Sequence, residues 1–117
     1  MEENLEVMHQ VAKGGPDREG KYLSFSVDRE EYGIGILKVK EIIGMMRITP
    51  VPQTPDFVKG VINLRGQVIP IVDLRCKLGL EETAHTTETR IVVVELNGDP
   101  VGLIVDSASQ VIRLPRF

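Results

Sequence analysis

The feature that most limits how this chain can fold is the apolar stretch GVINLRGQVIPIVDL at residues 60–74. Most of its apolar residues are β-branched, and their stiff side chains pack best on a pleated strand. Arg65-Gly66 interrupts the stretch, and Gly66 adopts a positive φ at low cost. The sequence therefore predicts two antiparallel strands, at 60–64 and 67–72, joined by a tight turn that exposes Arg65.

Further short strands are predicted on both sides of this hairpin. Apolar residues alternate with serines at 22–27, so they share one face of a strand. Residues 90–96 form a continuous β-branched run, which predicts a strand buried on both faces. Asn97-Gly98 follows this run and predicts a hairpin turn. Three more strands are predicted at 31–36, 101–105 and 110–114.

Helical structure is predicted only in short pieces. Between 37 and 46 the apolar residues recur at offsets of three, four and seven, which indicates a short amphipathic helix or turn. Thr54-Pro55 resembles the start of a helix that lasts about one turn, and 72–79 predicts one or two helical turns. Two segments are predicted to be irregular: a flexible tail at 1–20 and an exposed loop at 81–88.

Short strands without long helices between them limit the fold class. A chain of 117 residues is long enough to form one compact domain. A parallel α/β sheet requires a long helix after each strand, and the sequence predicts no such helix. The pattern therefore predicts an all-β fold with short helices, as one barrel or a pair of small barrels.

The composition excludes several classes of protein. A net charge of −3, with two Tyr, three Phe and no Trp, provides neither a basic face nor a stacking platform for nucleic acid. The single Cys76 excludes an internal disulfide and fits a reducing compartment. No apolar run reaches the roughly 18 residues of a transmembrane helix, and the N-terminus lacks the plan of a signal peptide. A cytoplasmic protein without direct membrane insertion is predicted.

No constellation of residues indicates catalysis or metal binding. The two histidines, His9 and His85, lie in polar segments, and neither is accompanied by a nucleophile and an orienting group. One cysteine and two distant histidines do not form a zinc ligand set. Gly33-Ile34-Gly35 lacks the third glycine of a dinucleotide-binding loop. The sequence therefore predicts no active site, no metal and no cofactor.

Two features indicate a binding surface instead. Arg65 is predicted between two apolar strands, where its guanidinium can bind a partner carboxylate through two hydrogen bonds; the alternative is an ordinary exposed turn residue. The second feature is a set of apolar residues beside Glu41, which forms either part of the core or an apolar groove for a helix. The members of this set are Val39, Ile42, Ile43 and Met46.

Three segments of the chain also resemble one family. EYGIGILKVKEI at 31–42, TPDFVKGVINLRGQVIPIVDLR at 54–75 and VGLIVDSASQVIRL at 101–114 are similar to the CheW family, the adaptors of bacterial and archaeal chemotaxis arrays. The resemblance extends over residues 22–114. It implies a fold of two interlocked SH3-like five-stranded β-barrels and a non-enzymatic adaptor without a cofactor.

The resemblance also implies partners and sites. Adaptors of this family bind the cytoplasmic helical tip of methyl-accepting chemoreceptors and the regulatory domain of the histidine kinase CheA, and so place the kinase under receptor control. The implied receptor-binding residues are Ile36, Val39, Glu41 and Arg65, with Ile91 nearby. The residues implied to face the kinase are Ile48, Thr49, Lys59 and Gly60. The protein is then expected in the cytoplasm, recruited to membrane-associated receptor arrays.

Two features depart from the family pattern. Gly35 stands where some relatives have an acidic residue, so no polar contact is expected from this position. The chain ends at Phe117, before the C-terminal strands that would complete the first barrel, and the CheW-like domain at 21–117 is therefore expected to be incomplete. An unpaired sheet edge favours strand-swapped self-association or completion of the sheet by another chain.

The same residues are also compatible with other functions. The chain can be a CheW-like interaction domain excised from a kinase or from a receiver-fused coupling protein, although the initiating Met and the tail at 1–20 favour a free-standing adaptor. It can also be a fragment of a small β-barrel enzyme whose reactive groups lie in missing sequence. A nucleic-acid-binding barrel is a further alternative, which the negative net charge opposes.

Overall fold

The computed structural model describes residues 12–13 and 20–114, which form nine strands and two short helical segments. The strands are β1 (Ala12–Lys13), β2 (Gly20–Val27), β3 (Glu30–Gly35), β4 (Val39–Gly44), β5 (Val58–Leu64), β6 (Gln67–Asp73), β7 (Arg90–Leu96), β8 (Asp99–Val105) and β9 (Ser107–Leu114). The helical segments are a 3₁₀ turn at Ile36–Lys38 and a one-turn helix, α1, at Leu74–Lys77. The predicted all-β fold with short helices is confirmed.

The strands form two sheets, and the chain passes from one to the other and back. The order is β1-β3-β2-β9 in the first sheet and β4-β7-β8-β6-β5 in the second. Neighbouring strands are antiparallel except for β6 and β8, which are parallel. Thr49, in the segment after β4, forms a bridge with Val61 of the opposite edge strand β5, so the five-stranded sheet curves into a barrel. Because β9 returns to the sheet of β1 to β3 after five strands in the other sheet, the two subdomains are interlocked, as predicted. The described part of the first subdomain has four strands and the second has five.

The middle of the five-stranded sheet is buried on both faces, because two hydrophobic clusters pack against it. The barrel cluster, inside the curved sheet, consists of Ile62, Ile69, Ile71, Ile91, Val93 and Ile104. The intersheet cluster joins the two sheets, and its members from the four-stranded sheet are Leu23, Phe25, Val27 and Ile34. Successive side chains of a strand point to opposite faces, so Ile91 and Val92 of β7 belong to different clusters. The prediction that 90–96 is buried on both faces is confirmed.

Two turns that the sequence predicts have the expected geometry. Arg65-Gly66 joins β5 to β6, and Asn97-Gly98 joins β7 to β8. All four residues have a positive φ, between 51° and 85°. This left-handed conformation at both positions matches the right-handed twist of the paired strands. The central hairpin and the hairpin at residue 97 are therefore confirmed.

The amphipathic helix predicted at 37–46 is wrong. The structure has the 3₁₀ turn and then β4, in which half-buried and exposed residues alternate. The apolar residues of this segment fit a helical period and an alternating period equally well. An isolated helix of this length is marginal, whereas β4 pairs with the buried strand β7 from Val39 to Gly44. Pairing with β7 therefore determines the structure of the segment.

The predicted helical turn at 72–79 is confirmed as α1. The carboxylate of Asp73 accepts a hydrogen bond from the backbone N–H of Arg75 at 2.9 Å and so caps the helix. Gly79, just beyond the end, has a φ of +76°, which glycine adopts without strain. The segment 81–88 that follows is exposed, as predicted.

The predicted helix start at Thr54-Pro55 leads only to a turn. The backbone N–H of Val58 donates to the carbonyl of Pro55 at 3.0 Å, and strand β5 begins at once. The hydroxyl of Thr54 donates to the carbonyl of Val51 instead of accepting from the backbone as a helix cap would. The three prolines of this region exclude longer regular structure.

Most of the predicted tail at 1–20, including His9, lies outside the described residues. Within it, Ala12–Lys13 forms β1, which pairs with Tyr32 and Gly33 of β3. In the described part of the chain, no helix has the length and apolar character needed to span a membrane.

Candidate partner-binding surface

The turn of the central hairpin presents Arg65 to solvent. Strands β5 and β6 pair as far as Leu64 and Gln67, so Arg65 and Gly66 alone form the turn. The side chain of Asn63 accepts a hydrogen bond from the N–H of Gly66 at 2.9 Å and holds the turn in place. The Arg65 side chain is 70% exposed. Its predicted exposure at the apex of the hairpin is confirmed.

The guanidinium of Arg65 forms an ion pair with Glu41 of β4. Nη2 of Arg65 donates to Oε1 of Glu41, whose side chain is 31% exposed. Strands β4 and β5 lie at opposite edges of the sheet order, and closure of the barrel brings these two groups together. An ion pair exposed to this extent contributes only about 0–1 kcal/mol to stability. Both charges are therefore available for exchange with a charged partner.

Apolar side chains precede Glu41 along the chain. Ile36 and Val39 are half-buried, and Val39 packs against the intersheet cluster. Leu37, between them, is 94% exposed. Leu37 and Lys38 also border an open cleft of about 450 Å³ beside the β7–β8 turn. The exposure of Leu37 is not predictable from the sequence, because a residue pattern does not show which side chain of a one-turn segment projects into solvent.

The apolar set beside Glu41 divides between the core and the surface. Ile43 packs against the barrel cluster, and Val39 against the intersheet cluster. Ile42 and Met46 are 40% and 36% exposed. Both interpretations of this set, core and groove, are therefore partly correct. The exposed members, Ile42 in β4 and Met46 after its end, add apolar area to the surface.

Ile91, which the resemblance places near the receptor groove, does not reach the surface. Its side chain is fully buried in the barrel cluster, and it pairs across strands with Ile43 of β4. It therefore supports β4 from inside the barrel and has no exposed area for direct contact with a partner. Ile91 is thus a buried neighbour of the candidate groove, because β7 is a central strand buried on both faces.

The residues implied to face the kinase meet where the barrel closes. The N–H of Thr49 donates to the carbonyl of Val61 at 2.8 Å, and the N–H of Val61 donates to the carbonyl of Thr49 at 2.9 Å. Gly60, with a φ of +141°, lies against this bridge, and a Cβ at this position would overlap the Thr49 carbonyl. Ile48 packs against the barrel cluster. Gly60 is thus required for barrel closure, whatever binds outside it.

Lys59, the fourth residue of this set, is held by Glu82 of the exposed loop. Nζ of Lys59 lies 3.0 Å from Oε2 of Glu82, and the side chains are 26% and 60% exposed. The hydrogen bond that Lys59 donates to Glu82 is the main cause that raises the pKa of Lys59 above 10.5, although burial acts in the opposite direction. Lys59 is therefore fully charged at neutral pH, with its ammonium already occupied.

A group of potential metal ligands among the described residues lies beside Lys59. Ligand atoms of Asp73, Cys76 and Glu82 lie within 4.8 Å of one another. The Lys59 ammonium supplies a positive charge to this group, and Asp73 already caps α1. Burial, together with the charge of Asp73, raises the pKa of the Cys76 thiol, so the thiol stays protonated and weakly nucleophilic at neutral pH. The Lys59–Glu82 ion pair and the capping of α1 by Asp73 explain why these side chains lie close together.

A second charged cluster lies between the two sheets and is centred on Arg75, which is 15% exposed. Its Nε and Nη2 donate to the two carboxylate oxygens of Asp106 at 3.0 and 2.8 Å. Nη1 donates to the carbonyl of Glu81 at 3.0 Å, and Nη2 lies 3.5 Å from Oδ1 of Asp28. Arg75 thus contacts three other parts of the chain. This role of Arg75 was not predicted, and the only sequence signal for it is that Arg75 and Asp106 each lie at the end of an apolar run.

The pKa of Asp106 reflects this arrangement. Burial acts to raise it, but the hydrogen bonds from Arg75 and from the N–H of Asp28, together with the positive charge of Arg75, outweigh burial. The pKa of Asp106 therefore lies below its ordinary value of 3.8. The carboxylate is ionised at neutral pH, and the cluster is a charge-assisted pair that is stronger than a neutral hydrogen bond.

Comparison with known proteins identifies the family. The family model of the CheW-like domain matches residues 21–117. The chemotaxis protein CheW of Klebsiella aerogenes is 44% identical over 94 residues, which cover 80% of this chain and 57% of that protein. CheW of Bacillus subtilis is also 44% identical over 94 residues, which cover 80% and 60% of the two chains.

A solved structure has the same fold. The crystal structure of the scaffolding protein TtCheW from Thermoanaerobacter tengcongensis matches with a TM-score of 0.78 at 39% identity, over 83% of this chain and 66% of that chain. The chain therefore spans only part of the length of these relatives, 57% and 60% of the two curated ones. The family match, the sequence identity and the shared fold agree, and they show that the chain belongs to the CheW family of chemotaxis scaffold proteins.

Proposed function

We propose that this protein is an adaptor that couples the cytoplasmic tip of transmembrane chemoreceptors to the regulatory domain of the histidine kinase CheA. Membership of the CheW family supports the proposal, and the exposed Arg65–Glu41 pair is the observation on which it rests. The adaptor acts by assembly rather than by catalysis and needs no cofactor. It works in the cytoplasm, recruited to receptor arrays at the membrane.

The receptor tip, a helical hairpin, binds along Ile36, Val39, Glu41 and Arg65. Apolar burial at Ile36, Val39 and the exposed Leu37 provides affinity, and the charged pair determines orientation and partner choice. In the described part of the chain, Arg65 donates one hydrogen bond to Glu41. Its guanidinium has five N–H donors, and the remaining donors can bind a receptor carboxylate.

The kinase domain binds on the side of the barrel where Thr49 meets Val61. The bridge between these residues and the close approach of Gly60 make the backbone rigid there, which lowers the entropy cost of binding. Lys59 offers a cation to an acidic group of the kinase once Glu82 releases it. The two partners therefore use different parts of the surface and can bind together.

The test is a titration of the protein against a receptor-tip fragment and, separately, against the CheA regulatory domain. We expect both to bind, and Arg65→Ala to weaken receptor binding about tenfold, which is about 1.4 kcal/mol. Binding of the kinase domain should change less than about twofold, since Arg65 lies outside that surface.

Lys40→Ala is the matched control, because Lys40 is an exposed cation on the same strand as Glu41. It lies at the register shift between Val39 and Glu41 and forms no ion pair with another described residue, so its loss removes one positive charge and leaves the Arg65–Glu41 pair in place. Equal losses of receptor binding in the two variants would show a general charge effect and contradict the assigned groove. Failure of the unmodified protein to bind either fragment would overturn the adaptor function itself.

A further inference from the structure

The described chain crosses between the two sheets at two places. It leaves the four-stranded sheet after β3, through the 3₁₀ turn Ile36–Lys38, and enters the five-stranded sheet at β4. It returns at Asp106, the single residue between β8 and β9. The relative orientation of the sheets therefore depends on these crossings and on the intersheet cluster.

The crossing at Asp106 is held from three directions. Its N–H donates to the carbonyl of Ser26 of β2 at 2.9 Å. Its carboxylate accepts two hydrogen bonds from Arg75 and a third, at 2.8 Å, from the N–H of Asp28 in the β2–β3 turn. Arg75, which follows β6 and lies in α1, also lies 3.5 Å from the carboxylate of Asp28. Arg75, Asp106 and Asp28, here called the sheet clamp, thus bind the β2–β3 hairpin to the barrel.

The sheet clamp and the 3₁₀ turn lie at opposite ends of β3. Asp28 is in the turn before β3, and Ile36 follows directly after its last residue. β3 has six residues, and at about 3.3 Å per residue it is about 20 Å long. A rotation of about 5° at the clamp would displace the far end of such a strand by about 2 Å.

Charged contacts fix the angle between two sheets better than apolar contacts do. The intersheet cluster consists of aliphatic side chains and Phe25, whose contacts are not directional. A bidentate arginine–carboxylate pair requires a defined angle and distance between its two groups. The cluster therefore holds the sheets together, and the clamp restricts the angle between them.

We propose that the sheet clamp is a positioning device that sets the angle between the two sheets, and with it the position of the Ile36–Lys38 turn against β4. The proposal rests on the function proposed above. The receptor groove begins at the crossing between the sheets, whereas the kinase-facing residues belong to the barrel alone. Loosening the clamp should therefore weaken receptor binding and spare kinase binding.

The variant that tests this is Asp106→Asn, which keeps the size of the side chain and removes its charge. Asp99→Asn is the matched control, because it makes the same change at the exposed start of β8, the strand that ends just before Asp106. The first readout is the angle between the sheets. Spin labels are attached at Gly35→Cys, where an added Cβ meets no atom within 4 Å, and at the exposed Val68→Cys, with Cys76→Ser as the background.

We expect Asp106→Asn to shift or broaden the distance between the labels by up to about 2 Å, the displacement that a rotation of about 5° produces over the length of β3. Asp99→Asn should leave the distance distribution unchanged. An unchanged distribution in Asp106→Asn would overturn the proposal, whether or not the protein binds a receptor. Should Asp106→Asn not fold, Asp28→Asn, which removes the longer contact, provides the same test with a smaller expected shift.

The second readout is binding to the receptor-tip fragment and to the CheA regulatory domain. We expect Asp106→Asn to weaken receptor binding about fivefold and kinase binding less than twofold, because the clamp acts on orientation. Equal losses for both partners would indicate general destabilisation and overturn the positioning role. No receptor binding by the unmodified protein, combined with a shifted label distance, would overturn the proposed function and leave the clamp itself supported.

Discussion

Two arginines in the described part of the chain form ion pairs, and the surroundings of the two pairs differ. Arg75 is 15% exposed, and it donates two hydrogen bonds to Asp106 and one to a backbone carbonyl. Arg65 is 70% exposed and donates to Glu41. The first pair joins two sheets, whereas the second joins two strands of one barrel. One sequence thus uses the same chemical group in a structural role and at a candidate binding surface.

The comparison shows that burial and the number of partners decide what an ion pair does. Water screens an exposed pair, so its loss costs little and a partner can replace either member. A half-buried pair with several hydrogen bonds cannot lose one member without leaving the other poorly solvated. We therefore expect Arg75 to affect stability and Arg65 to affect binding.

The largest expected effect is on stability. Arg75→Ala should lower the free energy of unfolding by about 2–3 kcal/mol, because it removes the hydrogen bonds to the Glu81 carbonyl as well as to Asp106 and leaves both acceptors poorly solvated. Arg65→Ala should lower it by less than about 1 kcal/mol. Urea unfolding at pH 7 measures both, and equal losses in the two variants would contradict the distinction between the pairs.

Charge reversal tests whether the exposed Arg65–Glu41 pair contributes to receptor binding. Glu41→Arg and Arg65→Glu should each weaken binding of the receptor-tip fragment about tenfold, since like charges then face the partner or each other. The double variant restores the internal pair and should unfold like the unmodified protein, yet it should still bind the receptor weakly. Full recovery of binding in the double variant would show that the pair serves only the barrel.

Acid unfolding is a second test of the half-buried Arg75–Asp106 pair. The pKa of Asp106 is lowered in the folded protein, so its contribution to stability is complete above pH 3.8 and is lost as the pH falls through the folded pKa. Its side chain is 35% exposed, and screening limits this contribution to at most about 1 kcal/mol. Asp106→Asn should therefore lose less stability than the unmodified protein below that pH. Parallel pH profiles would contradict this prediction.

The smallest effect is expected at the third pair, Lys59 with Glu82. Glu82→Gln frees the lysine for an acidic group of the kinase domain and should strengthen kinase binding about two- to threefold. Glu81→Gln is the matched control, because it removes the same charge from the adjacent position and leaves the backbone carbonyl that Arg75 binds. Equal changes in the two variants would indicate an effect of net charge rather than release of Lys59.

Local signals explain which parts of the fold are predictable. Gly66 and Asn97-Gly98 favour their turns through local backbone preference, and the β-branched run of β7 indicates a buried strand without knowledge of its neighbours. The segment at 37–46 fits two periods, and only pairing with β7 decides between them. The exposure of Leu37 depends in the same way on the short 3₁₀ turn.

The sequence by itself determined the all-β class, the main strands, the two hairpin turns and the exposure of Arg65, because each depends on residues within a few positions of one another. Only the tertiary structure decided that Arg65 meets Glu41, 24 positions away, and that Arg75 meets Asp106, 31 positions away. It also decided that Ile91 is buried beneath β4. Contacts of this kind depend on the register and closure of whole sheets, and these follow from the packing of all strands together rather than from any one segment.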